Sequence, residues 1–233
     1  DATEQTGTCA VLVHEHERSL VANVAAANCF KMDHIDSEGV AEHVTAAQIT
    51  YSAGFFLTVS PDTMVELGKR SAARGAVFSM NLSAPFLPHA FKEPMARVMP
   101  YVDILFGNES EAKAYSEANG YPDATIQEVA RKIAMEPKAS GLRGRLVVLT
   151  QGAGNTIVCH DGKLTEYPVE AIPESEMVDV NGAGDAFVGG FLCKFAEGKD
   201  VTECVRAGTW AARYIIKRSG CKMEGKCAYE SME

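Results

Sequence analysis

Apolar runs of strand length alternate with helical patterns over residues 46–150, and this alternation restricts the fold more than any other feature of the chain. Three of these runs have the length and composition of buried strands: 76–82, 102–106 and 145–150. Helix signals separate them, such as Ser60-Pro61-Asp62, where a capping residue, a proline and an acid begin a helix expected to end at Gly75. The alternation predicts an α/β fold with a mostly parallel sheet and helices on both faces.

Two pairs of short β-rich segments predict hairpins. These pairs are 8–13 with 19–25, joined by the polar HEHER, and 156–160 with 163–169. The second pair flanks Asp161-Gly162, which is the strongest short hairpin signal in the chain. We expect residues 1–30 to form a small β hairpin beside a single α/β core of residues 31–233.

Composition narrows the partners that this chain is expected to have. The 233 residues carry a formal net charge of −9, with 46% hydrophobic and 23% charged residues, as in ordinary soluble domains. No apolar run reaches the roughly 18 residues of a membrane span, and DATEQTGTC lacks the regions of a signal peptide. No basic block offsets the negative charge, so neither nucleic acid nor membrane is expected as a partner. Any bound phosphate should therefore be small and locally cradled.

The cysteine pattern indicates a reducing compartment. Seven cysteines occur at scattered spacings, without a C-x-x-C pair, and most of them lie inside apolar runs. We therefore expect buried thiols and a cytoplasmic protein, in preference to a disulfide framework or a zinc site. Cys221 and Cys227 have no His nearby, which favours loop positions for both.

Two Gly-Ala-Gly runs raise the question of phosphate binding. The standard P-loop and dinucleotide fingerprints are absent from both. The run at 152–154 follows the strand RLVVLT and leads into a hairpin strand, which predicts a simple turn. The run at 182–184 begins a predicted helix at 183–196, where small residues allow successive N–H groups to converge on an anion.

Asp185 is the candidate catalytic group because it lies in the first turn of that helix. The helix dipole favours its ionised form by roughly 0.3–1 kcal/mol. Such a carboxylate can accept a proton from a hydroxyl directed at a phosphoryl group. The alternative is an acid that only stabilises the helix start. Gly189-Gly190 within the helix predicts close packing against another backbone.

Asn108-x-x-Glu111 is a second candidate, at the point where a predicted strand ends and a helix begins. Ligands of open parallel sheets bind beyond the carboxyl ends of the strands. The two side chains share one helix face and could hold hydrated Mg²⁺ through waters. The alternative is an N-terminal capping box, which by itself explains the spacing.

These motifs resemble the signatures of a known family. DVNGAGDAFVGGF at 179–191 resembles the second signature of the ribokinase-like family of carbohydrate and nucleoside kinases, and Asn108-x-x-Glu111 resembles its magnesium and phosphate motif. Further segments along almost the whole chain resemble the adenosine kinases within that family: TGTCAVLV, RSLVANVAAANCF, AGFFLTVSP, NLSAPF, VMPYVDILFGNESEA and TECVRAG. The resemblance implies a three-layer ribokinase-like fold and ATP-dependent phosphorylation of the 5′-hydroxyl of adenosine to AMP.

The resemblance also implies roles for individual residues. Asp185 would be the catalytic base, and the amides of Gly182, Ala183 and Gly184 would form the anion hole. The remaining implied roles are ATP and Mg²⁺ binding by Asn108 and by Glu111 (Mg²⁺ through water), proximity to ATP for Gln151 and Gly152, a lid contact to the phosphates for Arg18, adenosine contacts for Leu20, Ala22, Phe55 and Asn181, and a monovalent-cation (K⁺) site at Asp179. The family resemblance also suggests a monomer.

Three departures from the family pattern affect these expectations. The family chain carries a long N-terminal portion, absent from this sequence, that supplies the first sheet strands, much of the lid and polar contacts to the nucleoside. Val180 stands where Thr is usual, and Thr209 stands where a His is often close to the ATP base. The resemblance therefore implies an N-terminally truncated fold with half of the nucleoside pocket missing.

Three functions follow as alternatives. The first is adenosine phosphorylation, and the second is phosphorylation of another sugar or nucleoside by the same core. The third is a nucleotide-binding fragment with weak or no catalysis. The segment-level match favours the first function over the second. The intact motifs favour an active kinase, whereas the missing N-terminal portion favours the third function, so these two stay open.

Overall fold

The computed structural model describes residues 3–14, 17–223, 225 and 227–231. Its strands are β1 (Thr8–His14), β2 (Glu17–Asn23), β3 (Ile49–Ala53), β4 (Val77–Asn81), β5 (Ile104–Asn108), β6 (Leu146–Gln151), β7 (Gly154–His160) and β8 (Lys163–Tyr167). Its α-helices are α1 (Ala41–Ala46), α2 (Pro61–Arg74), α3 (Phe86–Ala90), α4 (Lys92–Val98), α5 (Glu109–Ala118), α6 (Ile126–Met135), α7 (Ala183–Ala196) and α8 (Val201–Ile216). Short 3-10 helices lie at Ala25–Cys29, Met32–Asp36, Gly54–Thr58, Met99–Tyr101 and Glu174–Glu176.

The main sheet has the strand order β3-β4-β5-β6-β7-β8, and β3 to β6 pair in parallel. Ile104 lies beside Leu146, and Asn108 lies beside Thr150. The sheet becomes mixed at β7 and β8, because the two-residue turn between them reverses the chain. The expected α/β fold is confirmed, and the strands predicted at 76–82, 102–106 and 145–150 correspond to β4, β5 and β6.

Burial explains why these segments are strands. Val147, Val148 and Leu149 follow one another in β6 and have no exposed surface, and the adjacent Leu105 and Phe106 of β5 are at most 2% exposed. Neighbouring positions of a strand face opposite sides of the sheet. Both faces of the central strands are therefore covered. Continuous apolar runs are the composition that doubly covered parallel strands require.

Helix α2 begins at Pro61 and ends at Arg74, as predicted, and Gly75 follows with a φ of +70°. Glycine adopts this left-handed conformation without steric cost, which is why the helix ends there. The expected capping role of Ser60 is wrong, because its side chain accepts no hydrogen bond from the helix backbone. The Ser60 hydroxyl instead lies 2.7 Å from the hydroxyl of Thr63.

Both predicted hairpins are present. Asp161 and Gly162 connect β7 to β8 with φ values of +50° and +75°, the pair of left-handed residues that a type I′ turn needs. Strands β1 and β2 form a two-stranded sheet of their own. The connecting residues 15 and 16 lie outside the described part of the chain.

A buried charge network holds the amino ends of the strands. Arg145 has no exposed surface, and its guanidinium donates to the carbonyls of Val102 at 3.1 Å and Met99 at 2.6 Å. Its Nη1 lies 3.5 Å from a carboxylate oxygen of Glu136, and burial raises the pKa of that carboxyl. Asp103 is also buried and forms an ion pair with Lys138. Because every buried charge here has partners, the desolvation of each charge is partly offset.

The chain divides into two compact units. The first contains residues 1–8, 24–151 and 157–166, and the second contains 9–23, 152–156 and 167–233. None of the boundaries between these units lies at residue 30, and the division into 1–30 and 31–233 stays a prediction. The first unit carries β3 to β6 with α1 to α6, and the second carries α7 and α8.

Helices α7 and α8 pack closely in the second unit. A Cβ on Gly190 would lie 2.5 Å from the carbonyl oxygen of Ala207, and one on Gly208 would lie 2.8 Å from that of Phe187. The predicted backbone contact is therefore confirmed for Gly190. Gly189 has no such neighbour within 4 Å. In the described part of the chain no helix is long and apolar enough to span a bilayer.

The expectation of buried thiols is wrong for most of the cysteines. Cys159 and Cys204 are buried, and burial raises the pKa of the Cys204 thiol to about 12. Cys29 is half-buried. The exposed thiols are Cys9, Cys193, Cys221 and Cys227. An apolar sequence context did not bury them, because they lie on strand, helix and loop surfaces that the described chain leaves open.

Candidate active site

The parallel strands of the first unit place several polar segments at one edge of the sheet. β3, β4, β5 and β6 end at Ala53, Asn81, Asn108 and Gln151. Because the strands are parallel, these carboxyl ends lie on the same edge. Open α/β sheets bind their ligands beyond this edge.

The loops after β3 and β4 hold each other there. The backbone N–H of Gly54 donates to the hydroxyl of Ser83 at 2.8 Å, and the N–H of Ser83 donates to the Asn81 side chain at 2.9 Å. A Cβ on Gly54 would lie 2.4 Å from the Asn81 carbonyl oxygen, so only glycine fits. Ser83 has a φ of +66°, a strained conformation for a residue with a Cβ. Asn81 and Ser83 were missed as site candidates, although a polar pair directly after a buried strand was a usable signal.

Phe55 follows Gly54 in the 3-10 helix Gly54–Thr58. It is 51% exposed, which is unusual for a large apolar side chain, and its ring centroid lies 6.3 Å from that of Phe86, itself 50% exposed. Its predicted contact with the substrate stays a prediction. The exposed rings nevertheless form an apolar surface beside the carboxyl edge.

Asn108 and Glu111 form a complete capping box at the start of α5. The backbone N–H of Glu111 donates to the Asn108 side-chain oxygen at 2.9 Å, and the N–H of Asn108 donates to Glu111 Oε2 at 3.0 Å. The Asn108 amide also donates to Glu111 Oε1 at 2.9 Å. Glu111 is only 6% exposed. The capping alternative is therefore present in full, and it orients the carboxylate rigidly at the strand end.

Gln151 ends β6, and Gly152 begins the turn to β7 with a φ of +55°. A Cβ on Gly152 would meet nothing within 4 Å. The run at 152–154 leads directly into β7, which confirms that it is a turn between strands. Proximity of Gln151 and Gly152 to ATP stays a prediction.

The run at 182–184 has a different setting in the second unit. Gly182 caps α7 with a φ of +77° and has no side chain that could accept from the N–H groups of the first turn. The N–H of Ala183 donates to the carbonyl of Val180 at 3.3 Å. A Cβ on Gly184 would meet nothing within 4 Å, so the first turn is open on that side. Asp185 is exposed in the same turn, and among the described residues it forms no ion pair. The helix start therefore places N–H groups without a side-chain cap beside an exposed carboxylate.

The loop before α7 is held by the end of α8. The N–H groups of Val178 and Asp179 both donate to the carbonyl of Ile216, at 2.9 and 3.1 Å. The Asp179 carboxylate accepts from the Asn181 N–H at 2.8 Å. The Asp179 carboxylate thus stabilises the loop that contains it, and its role in binding a monovalent cation stays a prediction.

Cys221 is a neighbour of this loop that the sequence pattern did not predict. Its Sγ lies 3.5 Å from the carbonyl oxygen of Asn181, and a Cβ on Gly182 would lie 2.4 Å from the same sulfur. Cys221 is 40 residues from Asn181 in sequence. No local pattern could have indicated the contact, because only the path of the chain after α8 produces it.

The remaining predicted residues lie on other surfaces. Leu20 and Ala22 are exposed on β2, two positions apart and so on one face of that strand. Arg18 belongs to β2 as well, but its side chain lies outside the described residues. Thr209 lies on α8 and lines a cavity of about 880 Å³ together with Trp210. The substrate contacts predicted for Arg18, Leu20 and Ala22 stay predictions.

Comparisons with known proteins converge on one family. The sequence profile of the pfkB family of carbohydrate kinases matches residues 1–224. Adenosine kinase 1 of Arabidopsis thaliana is 47% identical over 221 residues, which are 95% of this chain and 64% of that protein. The chain thus spans less than two thirds of the length of such curated relatives.

Solved structures agree with the sequence comparisons. Anopheles gambiae adenosine kinase in complex with P1,P4-di(adenosine-5) tetraphosphate superposes with a TM-score of 0.95 at 45% identity, covering 98% of this chain and 68% of that one. Schistosoma mansoni adenosine kinase in complex with adenosine and AMP superposes with a TM-score of 0.90 at 35% identity, covering 98% and 67%.

Proposed function

Because this chain belongs to the pfkB family of carbohydrate kinases, we propose that it is the catalytic part of an adenosine kinase, which transfers the γ-phosphoryl group of ATP to the 5′-hydroxyl of adenosine. The observation that carries the proposal is the start of α7, where Gly182 provides no side-chain cap for the first N–H groups and Asp185 lies exposed beside them. The relatives supply the substrate: adenosine and AMP are bound by the Schistosoma mansoni protein.

The start of α7 suits the charge that develops in phosphoryl transfer. The transition state is loose and spreads negative charge over the equatorial oxygens of the phosphoryl group. The N–H groups of Gly182, Ala183 and Gly184 stabilise those oxygens together with the helix dipole. The N–H of Ala183 is shared between the phosphoryl group and the Val180 carbonyl, which lies 3.3 Å away. Because these donors are fixed by the helix, they need no reorganisation during the reaction.

Asp185 is proposed as the base for the attacking hydroxyl. It accepts the proton of the 5′-hydroxyl as the new O–P bond forms and the bond between the γ-phosphorus and the leaving ADP breaks. A carboxylate is a weak base, but positioning contributes more than base strength to this reaction class. The exposure of Asp185 leaves room for a substrate hydroxyl.

Asn108 and Glu111 are proposed to orient the ATP phosphates and Mg²⁺. Both Glu111 oxygens accept hydrogen bonds from Asn108, which fix the carboxylate at the strand end, and carboxylate oxygens are acceptors for metal-bound water. The donor set therefore fits a hydrated Mg²⁺, which keeps most of its waters. When bound, Mg²⁺ neutralises charge on the phosphates. A monovalent cation at Asp179 belongs to the same proposal.

The remaining roles follow the family resemblance. Leu20, Ala22, Phe55 and Asn181 are proposed to surround adenosine, Arg18 to reach the phosphates, and Gln151 and Gly152 to border ATP. The exposed apolar surfaces of Leu20 (54%) and Phe55 (51%) support this assignment. Purine salvage in the cytoplasm and a monomeric state complete the proposal.

The deciding experiment measures AMP formation from adenosine, ATP and Mg²⁺ by chromatography. The 233-residue chain is assayed beside the full-length product of the same gene. AMP formation by either polypeptide supports the proposal, and failure of both removes it. Activity of the longer polypeptide alone would assign this chain to the nucleotide-binding fragments. Ribose and other nucleosides, offered in parallel at equal concentration, test the alternative of a different acceptor.

A further inference from the structure

The segment that follows α8 turns back onto the loop before α7. Gly220 has a φ of +77°, and this left-handed turn directs the next residue, Cys221, toward that loop. The end of α8 already holds the loop through the Ile216 carbonyl. The Ile216 carbonyl therefore holds Val178 and Asp179, and Cys221 adds a second contact further along the loop, at Asn181.

The contact of Cys221 is made with the residues that direct the anion hole. Its thiol donates to the carbonyl oxygen of Asn181 at 3.5 Å. Its Sγ and Cβ lie 2.4 and 3.5 Å from the place that a Cβ on Gly182 would take. The sulfur thus packs directly against Gly182. The left-handed conformation of Gly182 in turn sets the direction of the N–H groups that begin α7.

The chain after Cys221 is anchored at a second place. The hydroxyl of Tyr229 donates to Glu203 at 2.9 Å, and the ring lies edge-on to Trp210 with centroids 5.7 Å apart. Between the two anchors, Cys221, Cys227 and Tyr229 line a cavity of about 670 Å³ along α7. Cys227 shares the cavity, yet no contact with Asn181 or Gly182 is recorded for it in the described part of the chain. It is therefore a matched control.

We infer that Cys221 is a positioning residue, whose thiol holds the Asn181-Gly182 backbone so that the N–H groups at the start of α7 point at the phosphoryl group. The inference rests on the proposed function for its catalytic consequence. The contact itself does not depend on that function, so the two are tested separately.

The contact is tested by a double-mutant cycle on thermal unfolding of the 233-residue chain. Gly182→Ala lowers the Tm through the clash with Cys221 and through backbone strain. In the Cys221→Ala background the clash is relieved, so the loss of Tm should be smaller by roughly 2–4 °C. In the Cys227→Ala background the loss should stay at its original size. Equal losses in all three backgrounds would overturn the inference.

The catalytic consequence is tested in whichever polypeptide forms AMP. Cys221→Ala should lower kcat by about 10-fold with little change in the KM for adenosine, since a displacement of 1 Å costs on the order of 10²-fold. Cys221→Ser should recover most of the rate, because its hydroxyl can still donate to the Asn181 carbonyl. Cys227→Ser should match the unmodified protein.

The outcomes separate the two claims. If neither unmodified polypeptide forms AMP, the proposed function fails and the double-mutant cycle alone decides the contact. If either forms AMP and its Cys221→Ala variant keeps the full kcat, the positioning role is overturned while the function stands. A Cys221→Ser variant as slow as Cys221→Ala would also overturn it.

Discussion

The two Gly-Ala-Gly runs use the same tripeptide in different surroundings. Both begin with a left-handed glycine, Gly152 at a φ of +55° and Gly182 at +77°. Around Gly152 there is open space, and the chain continues into β7. Gly182 packs under Cys221, and the chain continues into α7. The turn conformation is thus common to both, whereas anion binding needs the helix that follows and the contacts that orient it.

The largest expected effect concerns the residue that follows each Gly-Ala-Gly run, which is Asp185 after one run and Asn155 after the other. Asp185→Asn removes the proposed base and should lower kcat for AMP formation by about 10²–10⁴-fold. ATP binding, measured by calorimetry, should survive because the N–H groups remain. Asn155→Asp copies the acid into the other run and should create no activity in a protein that also carries Asp185→Asn. Phosphoryl transfer restored by that second change would contradict the helix-terminus argument.

The next effect concerns the two left-handed glycines. Gly182→Ala should lower the free energy of unfolding by about 2–4 kcal/mol, since about 1–2 kcal/mol of backbone strain adds to overpacking against Cys221. Gly152→Ala meets no neighbour and should lose only the strain, about 1–2 kcal/mol. Urea unfolding of both variants measures the difference. Equal losses would mean that Cys221 moves aside freely.

A third pair of variants, at Gly189 and Gly190, tests how closely α7 packs against α8. Gly190→Ala should destabilise the chain by about 1–3 kcal/mol, because its Cβ would lie 2.5 Å from the Ala207 carbonyl oxygen. Gly189→Ala has free space and should stabilise it by up to about 1 kcal/mol through helix propensity. Opposite signs for adjacent glycines are the expected result in urea unfolding. No matching pair of variants exists at the other Gly-Ala-Gly run, because a strand and not a helix follows it.

The smallest effect concerns the segment that carries Cys221 over Gly182. Burial and then the hydrogen bond to Glu203 raise the pKa of Tyr229 to about 12. Because the folded pKa lies above the ordinary value of 10.0, this contribution to stability is complete below pH 10.0 and is lost as the pH rises toward 12.

Trp210 is the only tryptophan of the chain and lies against Tyr229, so its fluorescence reports this transition. The titration is made in a Tyr214→Phe background, since Tyr214 also lies close to Trp210, with ring centroids 5.4 Å apart. Adding Tyr229→Phe should abolish the alkaline change. A change that persists without Tyr229 would show that the ring does not anchor the segment.

Local patterns predicted much of the fold. The start and end of α2, the turn at Asp161-Gly162 and the capping box at Asn108 appear where they were expected, because each depends on residues within a few positions of one another. The expected cap at Ser60 was wrong because its hydroxyl found a side-chain partner instead. Burial of individual cysteines was wrong because apolar neighbours in sequence do not determine which surface is covered.

Parts of the candidate site could not be predicted for the same reason. The polar residues after β4 had a usable signal, but the hydrogen bond of Ser83 to Gly54 across 29 residues and that of Cys221 to Asn181 across 40 had none. The difference between Gly189 and Gly190 depends on which of them faces α8. Such contacts arise from long-range packing, which leaves no periodic signal in the chain.

By itself, the sequence determined the α/β class, the helix that starts with Gly182-Ala183-Gly184, and the acid in its first turn. These features follow from hydrophobic periodicity and from conformational preferences of single residues, which act locally. The tertiary structure alone decided that Gly152 has open space around it, and that the end of α8 and Cys221 hold the loop before α7. Those contacts join residues far apart in the chain, and only the folded backbone brings them within hydrogen-bonding distance.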